Sequence, residues 1–417
     1  MTFALPRETV AVPDDDKAPK TSVNFAARLL WTRSGCEAAW RRLQAEGYST
    51  AFQTAVWTDG ICEHLAGPAH IRPFFVEVQD RESGEVVMLL PLALSRPLGV
   101  RTVNWLNLAV CDYAAPLLAA DFKWSPESAR AAWAAVRAVL PPVDVIDISQ
   151  IPPTFAGAVN PLSLLPGRRR MELSAFGIPI RGVEEPIVAH WMQSKPLREL
   201  GRRRRRLEEV GEIQFVEAKT PDELDGLFDA MVKQRRFRFE AMGRFDLLSR
   251  PHYERFYREA ARQSLEDGAT ARVFGVFVND ELISAAYVLV HAGVFSGILM
   301  SIGHDRWGKY GPGLLLVTEL MKWSQAQGHR YFDLTIGDMP YKSDLQPIEM
   351  ELSRMLEATT VVGAIDVACR RLAWKFDAWL QAHKRLSAGG RRLRRALRRM
   401  SHPHHGATSE AFRRQKP

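Results

Sequence analysis

The sequence predicts a mixed α/β (α+β) protein of two units with a similar order of elements, followed by a C-terminal helix. Three observations lead there. Residues 271–302 read as three consecutive strands, followed by a glycine-rich loop, a helix and a further strand. Residues 25–182 give a blurrier version of that order. The composition, 46% hydrophobic and 25% charged over 417 residues, suits two or three domains of ordinary size.

Residues 1–24 carry acids and prolines and lack an apolar core of signal length, so they read as a disordered leader. The first domain, 25–182, begins with helical segments around a turn at Gly47-Tyr48-Ser49. IRPFFVEVQD and GEVVMLLPLALS follow as strands, joined by the acidic turn Asp80–Gly84, a hairpin signal. SPESARAAWAAVRAVL is a helix with Ser125 as its cap, Pro126 at its first position and Glu127 in its first turn. PPVDVIDISQI is a short buried strand.

The second domain, 183–360, begins with the basic helix LRELGRRRRRLEEVG and a strand carrying Ile213, Phe215 and Val216. Thr220 and Pro221 start the next helix, and Gly268 ends the one after it. The charge-free run Leu282–Ile302 is long enough to cross a membrane. Its Ala, Val, Ser and Gly content and a turn at His291-Ala292-Gly293 instead predict two buried strands. A helix then runs to Gln327, Gly328 stops it, and HRYFDLTIGD is a strand.

Residues 361–400 are predicted as amphipathic and basic helices and 401–417 as a disordered tail. Ile365, Ala368, Leu372, Phe376, Trp379 and Leu380 recur at helical spacing, which predicts a helix packed on the body. The net charge of +8 is concentrated here: residues 366–417 hold 14 Lys/Arg against 3 Asp/Glu, which leaves −3 elsewhere. This argues against the whole protein being a nucleic-acid binder. RRLRRALRRM presents Leu393, Ala396, Leu397 and Met400 on one face. It reads as an anchor for anionic lipid, a nucleic-acid contact or a plain basic tail. Cys36, Cys62, Cys111 and Cys369 form no CxxC pair, which fits a reducing compartment without structural zinc.

GKYGPG, Gly308 to Gly313, stands between a strand and a helix. Glycines let a backbone approach a ligand closely, and a helix start with its unbonded N–H groups favours an anion. The spacing is neither the dinucleotide-binding GxGxxG nor the P-loop GxxxxGK[ST].

A three-strand meander, a GxxGxG-type turn into a helix and a further strand resemble the core of the GNAT acyltransferases. Their pyrophosphate loop is usually [QR]xxGx[GA]; Gly311 and Gly313 match its small positions, and Gly308 stands where Gln or Arg is usual. Pro312-Gly313, Gly328, Phe332-Asp333, Gly337-Asp338 and Tyr341-Lys342 resemble the signature of the CelD/BcsL-type branch. So do AFQTAVW (51–57), CDYAAPL (111–117) and LRELGRRRRRLEEVG (197–211), and the likeness spans roughly 40–345. It implies a tandem duplicated GNAT fold, shared with the Fem peptidyltransferases, which use aminoacyl-tRNA.

The resemblance implies transfer of an acyl group from acyl-CoA, acetyl-CoA or longer, to an amine or hydroxyl acceptor. It points to bacterial envelope or exopolysaccharide synthesis. The alternatives are a Fem-like transferase fed by charged tRNA, and a non-catalytic partner in polysaccharide assembly. Acyl-CoA is expected along Met300 and Ile302 and around Arg306, Gly308, Lys309, Tyr310, Gly311, Pro312 and Gly313. Asp338, Lys342, Tyr341 and Asp333 are the expected catalytic residues. Lys342 is the electrostatic clamp and Asp338 the base or substrate group. Asp112 and Tyr113 would meet the acceptor from the first domain, and His304 and Asp305 are further proton-transfer candidates. No metal is required. The expected location is cytoplasmic, peripheral on the inner membrane through the basic tail. Nucleic acid enters only as tRNA in the alternative. The arginine run Arg202–Arg206 faces all round its helix; from the run alone it reads as a nuclear-localisation or RNA-binding segment or a solvated helix, and the resemblance implies contact with an anionic substrate or CoA phosphates.

Overall fold

Capping residues set the helix starts and hairpin turns set the strand register, and both sit where their chemistry requires. The computed structural model describes residues 20–266, 270–303, 305–337 and 339–382. The first unit comprises β1 (Phe25–Leu30), α1 (Glu37–Glu46), α2 (Ala55–Gly60), β2 (Arg72–Asp80), β3 (Val86–Ser95), β4 (Thr102–Trp105) and β5 (Leu117–Leu118). It continues with α3 (Pro126–Val139), β6 (Val145–Ile151), the small hairpin β7 (Thr154–Phe155) and β8 (Ala158–Val159), and β9 (Arg169–Pro179). The second unit starts with α4 (Ile187–Trp191), α5 (Ser194–Glu208), β10 (Ile213–Glu217), α6 (Pro221–Ala241) and α7 (Pro251–Glu266). It then runs β11 (Ala271–Val278), β12 (Glu281–His291), β13 (Val294–Ile302), α8 (Pro312–Ala326), β14 (Tyr331–Ile336), α9 (Pro340–Asp344) and β15 (Ile348–Ala358), and α10 (Val361–Ala382) closes the described chain.

Ser125 accepts from the Ser128 N–H and Thr220 from the Glu223 N–H, each in a reciprocal capping box that satisfies two otherwise orphaned donors. The β12–β13 turn has Ala292 at φ +47° and Gly293 at φ +73°. Two left-handed residues match the twist of a tight hairpin, so the charge-free run is two strands. No described helix is long and apolar enough to cross a membrane.

Among the described residues, thirteen strands form one sheet in the order β1-β2-β3-β4-β6-β15-β9-β14-β13-β12-β11-β10, with β5 beside β3. The order is a near-mirror about its centre. β4 runs parallel to β6 over Thr102↔Val145, Val103↔Ile146 and Asn104↔Asp147. β13 runs parallel to β14 over Val294↔Tyr331, Phe295↔Phe332 and Ser296↔Asp333. Asp147 and Asp333 thus occupy matching positions. The duplication is legible in the hydrogen bonding even though the two units share little sequence.

The units interlock at the centre. β9 ends the first unit in sequence, yet it pairs with β14 and β15 of the second. β15 crosses the other way and pairs with β6 of the first. Neither β9 nor β15 was anticipated from sequence. The interface is also closed by packing: the Trp57 ring of α2 lies 4.7 Å from Phe256 of α7, edge to face.

α10 departs from the expectation that its apolar stripe packs on the body. Val361, Val362, Ile365, Leu372, Phe376 and Trp379 are exposed, Ile365 by 62% and Leu372 by 66%. The inward face is Gly363, Val367 and Arg370. Gly363 has no side chain where the Asp144 carbonyl approaches, Val367 is buried, and Arg370 donates to Asp147 at 2.9 Å. A close backbone approach and a buried ion pair fix the helix's rotation, and the stripe is left facing outward. The basic segment 391–400 and the tail lie outside the described residues, as do residues 1–19.

Candidate functional site

β13 and β14 pair for three residues and then part. Irregularities on both sides cause this. The β12–β13 register shifts between Tyr287 and Val288 and leaves Ile298 as an extra residue. The β14–β9 register shifts after Asp333 and leaves Leu334 unpaired. Bulges bend a strand and end its pairing. Thr335 has φ +59°, a left-handed conformation that is uncommon for a β-branched residue, so β14 turns sharply away. The gap is a cavity of about 260 Å³. Ile298, Leu299, Met300 and Ile302 line it from β13, Val317 and Leu320 from α8, and Thr335 and Ile336 from β14. Asp112, Tyr341 and Lys342 border it too.

A hydrogen-bonded cluster stands beside this cavity. The buried carboxylate of Asp333 accepts from the Tyr113 hydroxyl (2.9 Å), the Thr335 N–H (2.7 Å) and the Ser296 hydroxyl (3.3 Å). Burial nevertheless raises its pKa to about 6. Asp112 is half-buried beside Thr335 and Ile336, and the Thr335 hydroxyl itself donates to the Gly297 carbonyl at 3.2 Å. Burial, and then the charge of Asp333, push its pKa up to about 7. The buried Lys342 ammonium donates to the carbonyls of Gly337 (2.7 Å) and Thr335 (3.1 Å) and lies 5.3 Å from the Phe176 ring. It ties the end of β14 down, and its charge lowers both carboxyl pKa values. Burial pushes the Tyr341 hydroxyl up to about 12.

The structure therefore brings together Asp112 and Tyr113 from one unit and Asp333, Tyr341 and Lys342 from the other. Asp338 and His304 lie outside the described residues, and so does the side chain of Asp305.

The glycine loop sits at the other end of β13. Gly311 has φ +64° and precedes α8, with Pro312 at the first helical position. A side chain on Gly313 would come within 2.8 Å of Ile302 Cδ1, so the bare backbone passes directly under Met300 and Ile302. One on Gly311 would come within 2.8 Å of Arg203 Nη1. Arg203 of α5 thus borders the loop. Arg306 points elsewhere, ion-paired with Glu281 and 4.5 Å from the Trp307 ring. Lys309 is exposed over the half-buried Tyr310 at 5.0 Å, and Gly308 lies on the exposed turn.

Sequence reasoning passed over Ser296, Thr335 and Arg235. Arg235 is buried, pairs with Asp246 (2.7 Å) and donates to the Met300 carbonyl (2.8 Å), which pins α6 to β13. Its signal was available: it falls on the buried stripe of Leu224, Phe228 and Met231, where a charge needs a partner. Thr335 gave none, because a bulge depends on distant partner strands.

Residues 194–343 match the family described as acetyltransferase (GNAT) domain, a span from α5 to α9 that holds both the glycine loop and the splayed strands. The glycine loop and the splayed strands both fall inside that match, so residues 194–343 are similar to a GNAT acetyltransferase domain. In fold the chain is similar to FemX, at 11% identity and a TM-score of 0.53, over 76% of this chain and 95% of that one. A conserved protein of unknown function from Bacteroides thetaiotaomicron VPI-5482 gives a TM-score of 0.49 at 8% identity, over 78% of this chain and 96% of that one. A tandem GNAT protein from the clavulanic acid biosynthesis pathway gives 0.41 at 13% identity, over 81% and 98%. A search of the curated proteins finds no match.

Proposed function

We propose that the protein moves an acyl group from acyl-CoA to an amine or hydroxyl acceptor, with Asp112 as the general base. The observation that carries this is the splay of β13 from β14. It opens a cavity between the glycine loop at one end of β13 and a carboxyl group titrating near 7 at its inner edge. A base is most effective when its pKa lies near the working pH. The start of α8, with Gly311 left-handed before it and Pro312 at its first position, favours the charge of a pyrophosphate.

In the transfer, the acceptor N–H or O–H gives its proton to Asp112. The acceptor atom bonds the acyl carbon, the C–S bond breaks and the CoA thiolate leaves. Lys342 holds the Thr335 carbonyl and so fixes the bent end of β14 against which Asp112 stands. Tyr113 and Ser296 hold Asp333, which keeps β14 in its bent form. Asp338 remains a candidate partner for the acceptor. An envelope or exopolysaccharide acceptor follows from the CelD/BcsL resemblance.

Aminoacyl-tRNA is a second candidate donor, and the observation favouring it is Arg203, from the arginine run of α5, against the loop. Calorimetric titration with CoA, acetyl-CoA and a long-chain acyl-CoA separates the donors. Saturable binding that Gly311→Glu and Gly313→Glu abolish supports the acyl-CoA reading. No binding of any CoA species overturns it, and titration with charged tRNA then divides the Fem-like enzyme from a non-catalytic partner.

Peripheral contact with the inner membrane is part of the proposal. It is supported by the outward apolar stripe of α10 and the basic sequence that follows it. Co-sedimentation with anionic vesicles, compared with neutral ones and with a chain ending at 382, tests it.

A further inference from the structure

The cavity continues past Met300 to a cationic and aromatic mouth that the transfer chemistry leaves without a task. Arg235, Arg238 and Phe239 on one face of α6, and Met242 just past its end, line it. The first three fall at positions i, i+3 and i+4, which share a helix face. The chain turns at Gly243, φ +60°, and brings Arg244 and Phe245 back to the same opening. Three guanidinium groups therefore line this end. The adjacent carboxylate, Asp246, is held by Arg235 through bonds of 3.2 and 2.7 Å. Arg235 is further fixed to the Met300 carbonyl, so it serves as the frame.

Arg238 is half-buried, and its pKa is lowered by burial, then by the charges of Arg235 and Arg244. Like charges are crowded here at a cost that a bound anion would relieve. A helix C-terminus attracts a cation and accounts for Arg238 alone. Arg244 lies beyond the last turn and still lines the cavity. The walls between these cations are apolar, with Phe245 46% exposed and Met242 39% exposed. Exposed aromatics beside guanidinium groups suit a ligand that is part apolar and part charged.

We infer that this mouth binds an anionic group, a phosphate or a carboxylate, carried by an acceptor with an apolar body. The inference rests on the acyl-transfer reading for the word acceptor, since the donor is assigned to the glycine loop and the start of α8 rather than to α6. A guanidinium meets either oxyanion through paired N–H donors, so the two share one chemistry.

Calorimetry on the full chain with octyl phosphate, octanoate and octanol tests this, with acetyl-CoA titrated in parallel. At least one octyl anion is expected to bind, with octanol at least tenfold weaker. Arg238→Gln/Arg244→Gln is expected to weaken the anion at least tenfold and to leave acetyl-CoA affinity within twofold. The better-bound anion tells phosphate from carboxylate. Should the double variant melt lower than the parent, Arg238→Gln alone carries the comparison. Octanol binding as tightly as both anions, or anion binding unchanged in the variant, overturns the inference. An equal loss of acetyl-CoA affinity overturns it too, because the arginines would then serve the donor. If acetyl-CoA fails to bind while the arginine-dependent anion binds, the donor reading falls and the anion site stands.

Discussion

Asp112 ties stability to pH in a direction opposite to that of most carboxylates. Its pKa is raised from the ordinary value to about 7, so the folded state holds its proton more tightly than the unfolded chain does. The stability from that neutral form is full below the ordinary carboxyl range and is lost as pH rises toward 7. Asp112→Asn has no such charge to bury. Its melting temperature should rise relative to the parent between pH 5 and pH 8 in paired thermal melts, and an unchanged difference would refute the assignment. As a general base the same group predicts transfer that increases with pH and levels above about 7. Asp112→Asn should lower kcat by about 10²- to 10⁴-fold. Much of this cluster was reached from sequence through the family resemblance, whose segments carry Asp112, Tyr113, Asp333, Tyr341 and Lys342. Thr335 and Ser296 did not, because their roles arise from two bulges. Arg203 was visible only as one of five identical neighbours, and its rotation toward Gly311 depends on how α5 packs.

Three elements, β6, β15 and α10, meet on one carboxylate. Asp147 takes a bidentate contact from Arg354 and a bond from Arg370 at 2.9 Å, all three buried. Removing the shared anion takes from Arg354 its bidentate partner and leaves Arg370 with Asp366 alone. Asp147→Ala should cost about 3–5 kcal/mol in a denaturant titration, nearly independent of salt because the group is out of water. A loss below about 1 kcal/mol would show that the arginines find other partners. At the neighbouring seam, a side chain on Gly177 would run into the Tyr331 ring. Gly177→Ala should therefore destabilise by about 1–3 kcal/mol, the range for an overpacked site. Elements with local signals were readable: the capped α3 and α6, the β12–β13 hairpin and the start of α8. The apolar periodicity of α10 announced a stripe but could not say what it faces. Gly363 and Arg370 decide that, and neither is apolar in the pattern.

The two units are folded as one sheet although the chain lays them out in series. Separate fragments 1–182 and 183–417 should each show weak, poorly cooperative melting by circular dichroism, and mixing them should restore a single sharp transition. A stable, cooperative 1–182 fragment would contradict the strand exchange. Sequence could suggest a repeated order of elements, because each unit repeats its own local patterns. It could not show β9 and β15 changing places, since strand pairing across the chain leaves no periodic trace. The exchange also bears on how the protein is made. The β6 edge emerges from the ribosome about 200 residues before β15, the strand that covers it. At roughly 5–20 residues per second, that edge stands open for some 10–40 s. An unpaired buried-type edge is a template for wrong pairing, so the nascent chain depends on slow aggregation or on a chaperone until its final strand arrives.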